Sequence, residues 1–188
     1  MKHAVAALSL AFAAASIAVA PAAPSNAAAT SHTLATSDRK FLAEAAGGGL
    51  AEVELGRLAA EKASNPDVKA FGQHMVDDHS KVNEELKRLA DSKGAPVPSA
   101  LPAKEAQLKK KLSGLSGAAF DRAYVDAMVK DHKEDVAAFE KQSTTAHDPD
   151  VAAFASKTLP TLREHLTRVE GISRSMKGKS ADAASKGM

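Results

Sequence analysis

The stretch NPDVKAFGQHMVDDHSKVNEELKRLADS, residues 65–92, decides the fold. Asn65 offers a side-chain oxygen as a helix cap, Pro66 takes the first helical position, where its missing N–H is harmless, and Gly94 follows the end. Between them Val68, Gly72, Met75, His79, Val82, Leu86 and Leu89 recur four and three apart, the stripe that a helix buries in a bundle. His79 stands where this stripe asks for an apolar residue. The same feature returns downstream, MVDDH at 75–79 being echoed by MVKDH at 128–132. There His132 shares a stripe with Val125, Met128, Val136 and Phe139.

Three more segments have this period. One runs from Asp38, read as its N-cap, to about Ala63, and another from SGAAFDRAY to about Ala146. The last opens at Asp148 and lasts to about Met176, with Pro160 predicting a kink. Residues 94–117 are Pro-rich at first and amphipathic from Ala103 to Leu112, which reads as a loop carrying a short helix. A 26-residue helix is about 39 Å long at 1.5 Å per residue. A connection of that length can cross the whole height, letting the helix after it run parallel to the one before. The expectation is an all-α four-helix bundle with a short extra helix between helices two and three.

At the start, Lys2, an apolar run from Ala4 to Ala20 and small residues at Ser25, Asn26 and Ala27 read as a signal peptide over residues 1–27. Residues 28–37 then form a flexible mature N-terminus, residues 38–176 the bundle, and residues 177–188 a disordered tail. The expected location is periplasmic or secreted, with no integral membrane span once the signal is cleaved. Without cysteine, neither disulfides nor a lipidated thiol can hold the chain. Lys2 is the only charged residue ahead of the cut, so the mature formal charge is near +1. With one Tyr, no Trp and no basic stripe, nucleic acid is not an expected partner. A homo-oligomer is compatible with the pattern.

NPDVKAF at 65–71 and DPDVAAF at 148–154 lie 83 residues apart, an offset that also aligns Phe41 with Tyr124 and Glu52 with Asp135. Either the second hairpin is a copy of the first, or Asx-Pro-Asp is simply a common way to open a helix. The three glycines at 47–49 cost roughly 1 kcal/mol each inside a helix, which is best explained by a neighbour packed very close.

Each long helix places one ionisable residue on its buried stripe: Glu52, His79, His132 and His165. Glu52 and His79 lie 13 and 14 residues either side of Asn65, and His132 and His165 lie 16 and 17 either side of Asp148. Antiparallel packing therefore puts each pair within about 1.5 Å in height. A carboxylate buried among three imidazoles must be paired, hydrogen-bonded or metal-bound. The set predicts a transition-metal site for zinc, copper or iron, with Asp78, Asp131 and Asp135 as further ligands or acceptors. The competing reading is a metal-free hydrogen-bonded core. Met75 and Met128 read first as core filler, and otherwise as thioether ligands for copper. Haem has no Cys-x-x-Cys-His attachment signal. His74 and His147 read as surface, and His32 as part of the flexible start. No hydrolase or kinase signature occurs.

FLAEAAGGGLAEVELGRLAAEKASNPDVKAFGQHMVDDHSKVNEEL, GAAFDRAYVDAMVKDH and LPTLREHL together resemble an exported bacterial family catalogued as a domain of unknown function. That family is often given an outer-membrane-protein label and is placed in the ferritin-like superfamily. The likeness spans about residues 38–174 and implies a ferritin-like bundle without implying a reaction. Ferritin-like di-iron proteins carry Glu-x-x-His on two helices. Here Val76, Val129 and Leu162 stand three residues before the three histidines, so a mononuclear His-rich site fits better than a carboxylate-bridged iron pair. The leading functional reading is metal handling or envelope stress protection, the alternative a structural or partner-binding envelope protein, and metal-dependent redox activity ranks last.

Overall fold

The computed structural model describes residues 34–186, so the signal-peptide segment, His32 and most of the expected mature N-terminus lie outside the described residues. Among the described residues five helices occur in order: α1 (Thr36–Lys62), α2 (Pro66–Ser92), α3 (Ala103–Ser113), α4 (Gly117–Thr145) and α5 (Pro149–Lys186). No strand occurs among the described residues. The four long helices form the expected four-helix bundle, and α3 sits in the connection as the amphipathic pattern requires.

Two of the helix starts follow the expected cap chemistry. Asn65 Oδ1 accepts the Asp67 N–H at 2.8 Å, and Asp148 Oδ1 accepts the Asp150 N–H at 2.9 Å. The start of α1 differs from its expectation. The helix begins at Thr36, and Asp38 is a fully buried residue of its first turn rather than the cap. Its carboxylate reaches across the bundle, accepting the N–H groups of His147 and Asp148 at 3.0 and 2.8 Å and the Gln142 amide at 2.8 Å. It thereby satisfies donors that the turn into α5 would otherwise leave bare.

The same device closes the other end. Asp121, in the first turns of α4, accepts the N–H groups of Ser64 and Asn65 at 3.0 and 2.9 Å and the Ser64 hydroxyl. Residues 38 and 121 are 83 apart, as are 64 and 147, and 65 and 148, so the sequence repeat reappears as reciprocal contacts between the two hairpins. These contacts fix the topology. The start of α1 lies beside the α4–α5 turn, and the start of α4 beside the α1–α2 turn. Lys93, at the end of α2, joins Asp148 and Asp150 at 2.8 and 2.6 Å. The connection through α3 therefore spans the bundle, and α4 runs parallel to α2.

The glycines are explained by proximity at two of three places. A Cβ on Gly47 would lie 2.8 Å from Pro102, and one on Gly49 would lie 1.9 Å from Asn83 Oδ1, whereas one on Gly48 would meet nothing within 4 Å. Closer still to the α1–α2 turn, a Cβ on either Gly56 or Gly72 would lie 2.7 Å from the other's carbonyl oxygen. Helix α5 passes through Pro160 without a break and continues to Lys186, beyond the Met176 where apolar periodicity ends.

The core has two apolar clusters. One gathers Phe41, Leu42, Leu86, Phe139, Phe154 and Leu162 towards the α4–α5 turn. The other gathers Leu55, Phe71, Met75, Phe120, Tyr124 and Met128 towards the α1–α2 turn. A polar layer lies between them.

Candidate metal centre

That layer contains Glu52 from α1, His79 from α2, His132 from α4 and His165 from α5, all buried. The stripe spacing sets their inward direction and the two turns set their common height. His79 Nδ1 lies 2.8 Å from Glu52 Oε2, and His79 Nε2 lies 3.2 Å from His165 Nδ1. His132 Nδ1 donates to its own helix at the Met128 carbonyl, 3.1 Å away, which leaves its Nε2 as a bare lone pair. That Nε2 faces Glu52 Oε1 at 3.4 Å, and neither atom makes a hydrogen bond. The Phe71 ring packs beneath, its centre 6.3 Å from that of His132 and 6.5 Å from that of His165.

Hydrogen bonding assigns the protons. His165 Nε2 lies 3.2 Å from Asp78 Oδ2, a half-buried carboxylate, and so donates to it. His165 Nδ1 is then an acceptor, His79 Nε2 must donate to it, and His79 Nδ1 becomes an acceptor towards Glu52. Glu52 completes this chain as a neutral carboxylic acid. The electrostatics agree: burial, and after it the charge of Asp131, pushes the Glu52 carboxyl well above its usual range. Burial lowers His79 to about 4, His132 to about 3 and His165 to about 4, keeping all three rings neutral.

Every residue of the sequence-derived set lies in or beside this layer. A carboxylate oxygen of Asp131, a carboxylate oxygen of Glu52 and a ring nitrogen of His132 lie within 4.8 Å of one another. Burial raises Asp131 to about 6, with the neighbouring histidine opposing it. Asp135 is raised by burial and then by Glu52. It borders, with Glu52, His79 and Asn83, a void of about 10 Å³. Asn83 Oδ1 is itself buried without a hydrogen-bond partner. Asp78 grips His165 from outside; burial pushes its carboxyl up, but the His165 hydrogen bond and the nearby His74 outweigh this and lower it. Met75 and Met128 are fully buried in the Phe71 cluster, and Met128 meets the site through its carbonyl oxygen.

His147 is exposed, as read from the sequence. His74 is not the surface residue that its place off the stripe suggested. It is half-buried, with Nε2 at 3.3 Å from Asp78 Oδ2 and its ring centre 5.2 Å from that of His165. The His-x-x-x-Asp spacing from His74 to Asp78 was the available signal, since residues four apart share a helix face.

Two pairs of donors in the layer are spaced as a small cation requires. Four ligands about 2.0 Å from a tetrahedral ion stand about 3.3 Å apart. His79 Nε2 to His165 Nδ1, at 3.2 Å, and His132 Nε2 to Glu52 Oε1, at 3.4 Å, match two edges of such a figure. The ring nitrogens of all three histidines lie within 4.8 Å of one another. The two atoms of the second edge are also the ones left unsatisfied, where a buried polar group ordinarily has a partner.

A four-helix bundle with a histidine and carboxylate layer in its core is the class these observations define. The chain belongs to the family described as a domain of unknown function, DUF4142, which matches residues 23–172. None of the curated proteins matches it. Among solved structures it is similar to a DUF305 fragment from Deinococcus radiodurans, with TM-score 0.65 and 16% identity over 74% of this chain and 96% of that one. It is also similar to CopM in its Cu(II)-bound form, with TM-score 0.62 and 15% identity over 73% of this chain and 96% of that one. The Cu(I)-bound form of CopM aligns with TM-score 0.61 and 16% identity over the same shares. At such identities the likeness is one of fold. Among the described residues no helix is long and apolar enough to cross a membrane.

Proposed function

We propose that the protein binds one transition-metal ion in its core through Glu52, His79, His132 and His165, and serves metal handling or stress protection in the cell envelope. The observation that carries this reading is the facing pair of unsatisfied atoms, His132 Nε2 and Glu52 Oε1, at 3.4 Å. Two acceptors turned towards each other in an apolar interior need a proton or a cation between them. Asp131 and Asp135 would add negative charge beside the ion, and Asp78 would orient His165. Imidazole with carboxylate suits zinc, copper and iron alike. The fold shared with copper-bound CopM adds weight to copper. The bound ion would supply Lewis-acid or one-electron chemistry, while this chain's residues hold it and exclude water. Export rests on the signal-like start of the sequence.

A second reading has its own support. The continuous chain from Glu52 through His79 and His165 to Asp78 satisfies most of the layer without any ion, and a bundle so fixed could serve as a structural or partner-binding envelope protein.

Elemental analysis of untagged protein, before and after exposure to zinc, copper and iron salts, separates the two. One ion per chain that survives a chelator wash in the wild type, and is removed by that wash in both His79→Ala and His132→Ala, is the expected result. Protein that contains none and takes up none leaves only the hydrogen-bonded reading.

A further inference from the structure

His165 faces two ways. Its Nδ1 points into the core layer, at 3.2 Å from His79 Nε2, and its Nε2 points outwards, at 3.2 Å from Asp78 Oδ2. That same Asp78 oxygen receives His74 Nε2 at 3.3 Å, and ligand atoms of His74, Asp78 and His165 all lie within 4.8 Å of one another. Both measured separations again match the roughly 3.3 Å edge expected between ligands of a tetrahedral ion. This outer trio differs from the core set in access. The side chains of His74 and Asp78 are 32% and 26% exposed, against 4% or less for the core residues. Lys81 approaches the other Asp78 oxygen, Oδ1, at 3.5 Å and leaves Oδ2 to the two rings.

We propose that His74, Asp78 and the Nε2 atom of His165 form a second, solvent-facing metal site through which the ion reaches the core, an inference that rests on the core reading above. Two imidazoles and one carboxylate are a donor set for divalent first-row ions, and an open face lets water complete the shell and exchange. The shared ring couples the sites. A neutral imidazole carries a proton on one nitrogen and a lone pair on the other. An ion held at His165 Nε2 therefore moves the ring proton to Nδ1 and removes that atom from the core set; Nδ1 then donates to His79 Nε2, whose own proton shifts to His79 Nδ1 as Glu52 releases its proton. An ion in the core takes Nδ1, and the proton returns to Nε2, where Asp78 accepts it. The two sites fill alternately, and once the outer site is filled and His79 and Glu52 have shifted their protons, transfer inwards carries the ion across the His165 ring while the ring proton returns from Nδ1 to Nε2.

The test follows histidine ring nitrogens by NMR while Zn²⁺ is added to the full chain without a tag. In the wild type, zinc is expected to shift His132 Nε2 and His165 Nδ1. In His132→Ala, where the core set is broken, it is expected to shift His74 Nε2 and His165 Nε2 instead. If zinc leaves His74 Nε2 and His165 Nε2 unmoved in that variant, the outer site is refuted while the core reading stands. If wild-type His132 does not respond, the core reading fails by a separate signal, and with it the transfer. Stopped-flow uptake supplies the kinetic arm: His74→Ala is expected to slow filling of the core about tenfold, and filling at the wild-type rate overturns the loading role. His74 is half-exposed, so its replacement leaves the fold intact, which a thermal melt verifies.

Discussion

Asp38 closes the turn between α4 and α5, and Asp121, its equivalent in the repeat, closes the turn between α1 and α2. Each buried carboxylate gathers donors that would otherwise be stranded at a helix start. The two contacts, at opposite ends, lock the hairpins together crosswise.

Removing either carboxylate leaves two backbone N–H groups without their acceptor. Asp38→Ala and Asp121→Ala are each expected to destabilise the protein by about 2–3 kcal/mol, since hydrogen bonds to a charged group are the strong ones. The sites share no partner, so the double variant should lose the sum of the two. Urea denaturation of the three variants checks both statements.

Glycine substitutions should separate by sign. A Cβ at Gly72 would lie 2.7 Å from both the Gly56 carbonyl and the Ala59 side chain and 2.9 Å from the Ala60 nitrogen, so α1 and α2 must move apart. Gly72→Ala is expected to cost about 1–3 kcal/mol as an overpacked position. Gly48→Ala meets open space and should stabilise by about 1 kcal/mol through helix propensity alone. Thermal melts that show both variants moving in the same direction would contradict the packing.

Much of this was legible in the sequence because helix geometry converts spacing into height. Counting outward from Asn65 and from Asp148 was enough to bring Glu52, His79, His132 and His165 to one level. Asp38 reads as a local cap because an Asp ahead of an apolar run has that pattern. Its partners lie 109 and 110 residues away, at His147 and Asp148, and no local pattern reveals them. His74 is hidden from the sequence for a different reason. It lies off the buried stripe of α2, and whether it reaches His165 depends on how α2 and α5 are rotated against each other. Pattern gives the face of one helix but not the angle between two.

The histidines bear on pH dependence. Burial, then the nearby rings of His79 and His165, lowers His132 to about 3. Between pH 6.5 and that value the unfolded chain takes up a proton on this residue that the folded chain refuses, so its contribution to stability is present above pH 6.5 and is lost as pH falls. Glu52, Asp131 and Asp135 face the same layer with raised values and act in the opposite sense. A difference measurement isolates the ring: relative to wild type, metal-free His132→Leu should gain about 1.4 kcal/mol for each pH unit of acidification across that window. Chemical denaturation at several pH values reads the slope, and a difference independent of pH would contradict the assignment.

Loading the core should release a proton. In the metal-free chain Glu52 is neutral and donates a hydrogen bond to His79 Nδ1 at 2.8 Å, while His79 Nε2 donates to His165. An ion taking His79 Nε2 forces the ring proton to Nδ1, which then donates to Glu52 Oε2. Glu52 must become a carboxylate both to accept that bond and to offer Oε1 to the ion, so its own proton leaves the site. Calorimetric zinc titrations in buffers of different ionisation enthalpy are expected to report about one proton released per ion. Below the raised value of Glu52, affinity should fall about tenfold per pH unit. Glu52→Gln, which has no proton to lose, should bind more weakly at neutral pH and show neither the release nor the pH slope. Tight binding by this variant with an unchanged proton count would place the titrating group elsewhere in the layer.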